Sequence, residues 1–120
     1  MCGIAGIYSF NGREIRNLEE RIGQMTNYLV HRGPDGRGIF VDPKMQFALS
    51  NTRLAISDPI STLQQPLMDV TNDSFLTFNG EIFNDLELRE DLISSGRRFG
   101  SNQDTEILLQ GMVAEGEPFL

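Results

Sequence analysis

Cys2 is the only cysteine in the chain and directly follows Met1. Once Met1 is removed, which a side chain as small as that of Cys2 permits, a thiol and a free α-amine would share one residue. A thiolate attacks carbonyl carbons well, yet an ordinary thiol, with a pKa of about 8.5, is mostly protonated at neutral pH. An α-amine, with a pKa of roughly 7.7–8.0, is matched to accept that proton directly or through one water. One residue would then supply both nucleophile and base. A lone cysteine near a terminus is more often incidental, so this reading depends on the residues that accompany it.

Four further stretches combine glycine with polar groups in a way a core does not require. They are His31-Arg32-Gly33-Pro34-Asp35-Gly36, Asn51-Thr52-Arg53-Leu54-Ala55-Ile56, Asn79-Gly80-Glu81-Ile82-Phe83-Asn84 and Gln103-Asp104-Thr105-Glu106. Each has an ordinary explanation. A lone histidine beside a turn is usually structural or exposed, Asn-Gly after a strand is most often a turn, and Asp at a helix start is usually a cap.

The elements that must position these stretches are legible in outline. Ile4 to Phe10 is mostly apolar and runs into Asn11-Gly12, as a strand entering a turn does. Ile15, Leu18, Ile22, Met25 and Leu29 repeat at spacings of three and four, which predicts an amphipathic helix. Pro34 predicts its end near His31-Arg32-Gly33. Strands are expected around 38–41 and 47–49, with Asp42-Pro43-Lys44 turning between them. The pattern continues through Leu54–Ile56, and a polar loop is expected from Asp58 to Pro66. A strand over 75–78 comes next. Asn84 is placed to cap a helix with Leu86, Leu92 and Ile93 that ends near Gly96. A last helix, from near Asp104, is expected to turn Ile107, Leu108 and Met112 inward. Short turns join most of the strands, which favours an antiparallel sheet packed by helices. No internal repeat, linker or low-complexity segment interrupts this order.

Length and composition bound what such a chain does. At 120 residues it holds at most one domain. Its 39% hydrophobic and 22% charged content fits a globular chain rather than a disordered one. Acidic residues outnumber basic ones 17 to 10, and the basic residues are scattered, which argues against nucleic acid or an anionic membrane as partner. No apolar run is long enough to span a bilayer, no basic-then-apolar leader is evident, and a single cysteine gives no reason to expect an oxidising compartment. The expected location is the cytoplasm. One cysteine and one histidine do not make a zinc ligand set, so no metal is expected.

Together with the Met1-Cys2-Gly3-Ile4 start, the four stretches resemble the motifs of the class II glutamine amidotransferase domain of asparagine synthetases. They follow that family's order at family-like spacing and cover nearly the whole chain. The resemblance implies an α+β fold, the αββα sandwich of antiparallel sheets found in N-terminal-nucleophile hydrolases. It also implies hydrolysis of the side-chain amide of L-glutamine to glutamate and ammonia. Catalysis would fall to Cys2, with the Asn79 side-chain amide and the Gly80 backbone N–H as donors to the oxyanion. Arg53 would bind the substrate α-carboxylate as a planar fork. Asp104 would take the α-ammonium with Glu81 close by, and Leu54, Ala55, Ile56 and Ser57 would line the pocket with backbone groups. His31 and Asp35 would fix a turn rather than react.

Two departures from the family stand out. Gln103 replaces the serine of the usual Ser-Asp-Thr-Glu run, so a bulkier side chain precedes Asp104. The family's domain also continues past 120 residues, so residues 1–120 are expected to be an incomplete copy, its N-terminal portion, with sheet edges left unpaired. ATP and Mg²⁺ are expected only in a synthetase domain outside this chain, joined to it in cis, and the resemblance leaves room for a homodimer. Residues around the Arg-Gly and Asn-Gly steps favour the asparagine type over amidophosphoribosyltransferases and hexosamine-forming relatives. An amidotransferase serving another acceptor and a non-catalytic glutamine-binding or structural fragment stay open as alternatives.

Overall fold

The computed structural model describes residues 2–55, 64–69, 71 and 73–120. Contacts within the chain divide it into two compact units, 1–66 with 76–79 and 67–75 with 80–120.

The first unit is built on a three-stranded antiparallel sheet. Its strands are β1 (Gly3–Tyr8), β2 (Gly36–Val41) and β3 (Phe47–Arg53), in the order β1-β3-β2. β3 is central, pairing Gly3 with Thr52 on one side and Gly36 with Arg53 on the other. Helix α1 (Leu18–Tyr28) covers one face, where Leu18, Ile22 and Ala48 form a buried cluster flanked by Ala5, Ile7, Ile15, Val41 and Met45. The period-two alternation of a strand sends Ala48, Ser50 and Thr52 toward one face together, and all three are fully buried. Thr52 Oγ1 accepts from Gly3 N–H at 3.2 Å and donates to Leu29 C=O at 3.1 Å, tying the start of β1 to the end of α1.

Several boundaries differ from the sequence expectation, each for a local reason. β1 ends at Tyr8, because Ser9 and Asn11 already turn the chain: Ser9 Oγ donates to Asn11 Oδ1, and Gly12 sits at φ 67°. Ile15 packs on the core from ahead of α1 rather than within it. Along α1 the buried line runs Leu18, Ile22, Thr26 at four-residue spacing, so Met25 is exposed. Thr26 pays little for its burial, since its hydroxyl donates back to Ile22 C=O at 2.6 Å. The β2–β3 loop extends to Gln46, whose N–H donates to the Asp42 carboxylate, with Met45 in the left-handed region at φ 56°. β3 then runs unbroken to Arg53 rather than pausing before Leu54.

β4 (Leu67–Asp69) and β5 (Ser74–Leu76) form a two-stranded sheet that belongs, but for Leu76, to the second unit, which continues with α2 (Asp85–Ser94), α3 (Asp104–Glu115) and a 3₁₀ turn over Glu117–Phe119. β4 was not anticipated, being only three residues long beside a Gln-Gln-Pro run that reads as loop. Asn84 holds the N-cap position of α2, as expected, but its side chain makes no capping hydrogen bond. Leu92 is buried on α2, whereas Leu86 and Ile93 are exposed. Ile107 is buried on α3 as expected. Leu108 and Met112 are only half-buried, and Thr105, Leu109 and Gly111 are buried instead. The single inward face expected of α3 is wrong because α2, β4 and the 3₁₀ turn all pack on it, the Phe119 ring lying directly over Gly111.

The class is therefore mixed α+β with antiparallel pairing. No helix among the described residues is long and apolar enough to cross a membrane.

Gly33 is buried where the turn after α1 meets β3, and a Cβ there would overlap the Thr52 carbonyl group and the Arg53 nitrogen. Gly33→Ala should cost about 1–3 kcal/mol, the scale of overpacking against atoms that cannot move aside. Gly23, inside α1 with nothing near its missing Cβ, is the contrasting site. Gly23→Ala should stabilise by up to about 1 kcal/mol through helix propensity. Thermal or urea unfolding of the two variants checks both signs.

Candidate active site

Continuing the β1–β3 register one step beyond Gly3↔Thr52 sets Cys2 across from Arg53. The Leu54 N–H donates to Cys2 Sγ at 3.4 Å, and Leu54 C=O lies 4.0 Å from the same sulfur. The Cys2 carbonyl accepts from Arg32 Nε at 3.2 Å. A half-buried thiol is thus held between the end of β3 and the turn after α1. Arg32 was given no role of its own from sequence. Arg32 lies within the His31–Gly36 stretch, but its contact spans thirty residues, so no local pattern shows what it holds.

The His31–Gly36 stretch docks against the same strand end. Asp35 N–H donates to Arg53 C=O at 3.0 Å, and Asp35 Oδ2 accepts from Ala55 N–H at 2.8 Å. Asp35 therefore holds the backbone on both sides of Leu54, as a turn-fixing residue does. His31 is exposed on the turn. Arg53, half-buried, lines a small cleft with Asp35, Gly36, Gly38, Asn51 and Gln65. Of the four backbone groups expected beside it, Leu54 and Ala55 are described, and Ile56 and Ser57 lie outside the described residues.

Asn79 ends the 76–79 segment of the first unit and is exposed. Two residues before it, Thr77 Oγ1 lies 3.3 Å from Ser50 C=O on β3, and Phe78 N–H donates to Gln65 Oε1 at 2.6 Å. Cys2, Arg53, Leu54, Ala55 and Asn79 thus all belong to the unit organised by β3.

Gly80, Glu81 and Asp104 belong to the second unit. Asp104 is the first residue of α3, with Gln103 as N-cap, and its Oδ2 accepts from Ile82 N–H at 3.3 Å. That bond fixes the segment just after Gly80-Glu81 to the start of α3. An acidic side chain there also faces the positive end of the helix dipole. The loop before α3 is clamped from two sides. Glu106 accepts from Gly100 N–H, Ser101 N–H and Ser101 Oγ at 2.6–2.7 Å. Arg89 donates to Ser101 C=O and Gln103 C=O and covers the Phe99 ring at 4.4 Å. Glu106 is the third residue past the N-cap, the capping-box position, and that spacing is the signal that could have identified it. Gln103 makes no side-chain capping bond, and Ser101 Oγ accepts from Gln103 N–H instead.

Residues 1–120 match the glutamine amidotransferase domain. The chain belongs to this family. It is similar to asparagine synthetase (glutamine-hydrolyzing) 1 of Bacillus subtilis (strain 168), with 40% identity over 110 residues, 91% of this chain and 17% of the relative. Asparagine synthetase (glutamine-hydrolyzing) of Sandersonia aurantiaca is 34% identical over 120 residues, 100% of this chain and 22% of the relative. The root asparagine synthetase (glutamine-hydrolyzing) of Pisum sativum is 33% identical, again across 100% of this chain and 20% of the relative. The amidotransferase chain spans about a fifth of the length of these curated relatives.

Removing the Glu106 clamp should free the loop that leads into Asp104. In Glu106→Ala, amide exchange at Gly100 and Ser101 is expected to rise about tenfold or more, the factor that matches a charge-assisted hydrogen bond of roughly 1.5 kcal/mol. Site-resolved hydrogen exchange measures it, and unchanged protection would show that the loop is held by other contacts.

Proposed function

We propose that this domain hydrolyses the side-chain amide of L-glutamine to glutamate and ammonia, with Cys2 as an N-terminal nucleophile. The observation that carries the reading is the Cys2 thiol, held at the end of β3 by the Leu54 N–H in a chain matched along its length by an amidotransferase domain. In the proposed reaction Sγ bonds to the amide carbon of glutamine, and its proton passes to the α-amine of Cys2. The carbonyl oxygen takes up negative charge, stabilised by the Asn79 side-chain amide and the Gly80 N–H. The amine returns the proton to the leaving nitrogen, ammonia departs, and a glutamyl thioester remains. Water, deprotonated by the same amine, adds to the thioester and releases glutamate and the thiol.

Arg53 is assigned to the substrate α-carboxylate, because a guanidinium pairs with both oxygens where an ammonium meets only one. Asp104, with Glu81, is assigned to the α-ammonium, and Leu54 through Ser57 to backbone contacts with the substrate. The fold proposed for the complete domain is the αββα sandwich of N-terminal-nucleophile hydrolases, with the sheet of β1, β3 and β2 as part of one layer. The names of the relatives support a further step, transfer of the ammonia to aspartate in ATP-dependent asparagine synthesis by a synthetase domain in cis. ATP and Mg²⁺ belong to that domain in this proposal, no residue of this chain is assigned to them, and the expected setting is the cytoplasm.

Kinetics separates these roles in the intact protein. Cys2→Ala should abolish glutamate formation while glutamine still binds, and ammonia added directly should bypass the defect in asparagine synthesis. Glutamate release by Cys2→Ala at a rate near wild type would sink the nucleophile assignment. Asn79→Ala should lower kcat by about 10²–10³ with a smaller change in KM, the pattern of a donor acting on the transition state. Arg53→Lys should instead act mainly on KM. A reversed pattern in the two variants means that their roles have been exchanged.

A further inference from the structure

We propose that Gln65 is the positioning residue for the Asn79 oxyanion donor, anchoring it to the strand that carries Arg53 through one carboxamide oxygen. The proposal rests on the amidotransferase reading of Asn79 and extends it to a residue that none of the motifs includes.

Phe78 N–H donates to Gln65 Oε1 at 2.6 Å, one residue before Asn79. A backbone N–H can only donate, so this contact decides which end of the carboxamide faces the segment. Two weaker donors reach the same oxygen, Thr77 Oγ1 at 3.4 Å and Asn51 Nδ2 at 3.5 Å. A carbonyl oxygen has two lone pairs, so the short Phe78 bond dominates and the others share what is left. Asn51 is buried on β3, two residues before Arg53. Thr77 also lies 3.3 Å from Ser50 C=O, and its single hydroxyl proton serves one acceptor at a time. The Phe78 N–H is thus bonded to a side chain rather than to a strand ladder, two residues past the end of β5 at Leu76.

The anchor is itself fixed to the sheet. At Gly38, on β2, a Cβ would overlap the Gln65 carbonyl and crowd Pro66, so the absence of a side chain there lets the Gln65 backbone rest on the strand. Gly38 pairs with Asn51 across β2 and β3. The backbone of Gln65 is thus seated opposite the residue that its carboxamide also approaches. An oxyanion donor contributes fully only when held near its productive position, and a displacement of about 1 Å from a distant change can cost roughly 10² in rate.

The test compares Gln65→Met, which keeps the shape and removes the acceptor, with Gln65→Glu, which keeps an acceptor oxygen. In the intact protein Gln65→Met should lower glutaminase kcat by up to about 10²-fold, with KM moving much less. Gln65→Glu should retain most of the rate. Amide exchange at Phe78 should quicken in Gln65→Met and stay slow in Gln65→Glu. Gly38→Ala shifts the Gln65 backbone while leaving its carboxamide intact, and should reproduce the kcat loss if Gln65→Met does not fold. Wild-type kcat with unchanged Phe78 protection in Gln65→Met, or failure of Gln65→Glu to restore either, would overturn the proposal. If Cys2→Ala remained active, the nucleophile reading would fall, and Phe78 exchange would still decide whether Gln65 holds the segment.

Discussion

The pairing of β1 with β3 is the constraint on which the first unit depends. A strand has a side-chain period of two, so a slip of one residue would turn every side chain of β1 to the wrong face. In the observed register Ala5 and Ile7 meet the α1 core while Cys2 arrives beside Leu54. Thr52 secures that register from within the core. One hydroxyl bonds both the first amide of β1 and a carbonyl at the end of α1, so strand, helix and central strand are joined at one buried atom. A buried hydroxyl with both its roles satisfied adds specificity at little cost, whereas the same group left unpaired would destabilise the core.

Around that register, short polar contacts hold the backbone to which the reactive groups are attached. Arg32 holds the carbonyl of Cys2, Asp35 holds the amide of Ala55, and Gln65 holds the amide of Phe78. Each bonds to the main chain of a residue of the proposed chemistry or of its neighbour. Glu106 and Arg89 do the equivalent in the second unit, gripping the loop ahead of Asp104. Such supporting bonds limit the motion of neighbouring side chains without occupying the space a substrate needs.

The residues proposed to carry the chemistry stand out in sequence only in combination, through an order and spacing that resemble one family. Taken singly, a cysteine at residue 2, an arginine ahead of an apolar stretch and an Asn-Gly step after a strand each have an ordinary explanation. Asp35 was legible as a turn-fixing residue, and most of the other supports were not. Arg32, Gln65 and Arg89 are ordinary surface residue types, and their partners lie thirty, thirteen and twelve residues away. Glu106 is intermediate, since its capping-box spacing was visible and the carboxylate only reaches further back than that motif requires.

The sequence by itself determined most of the order of strands and helices, the antiparallel character and the Leu18–Ile22 core line, and it marked the residues proposed to act on an amide, because periodicity and residue type are local properties. Tertiary structure decided which faces were covered. It placed Thr26 rather than Met25 against the sheet, buried two sides of α3 rather than one, and added the short strand β4. It also gave the Phe78 amide, two residues past the end of β5, a carboxamide partner from another segment. Burial and hydrogen-bond capture depend on what arrives from elsewhere in the chain, and no local pattern encodes that.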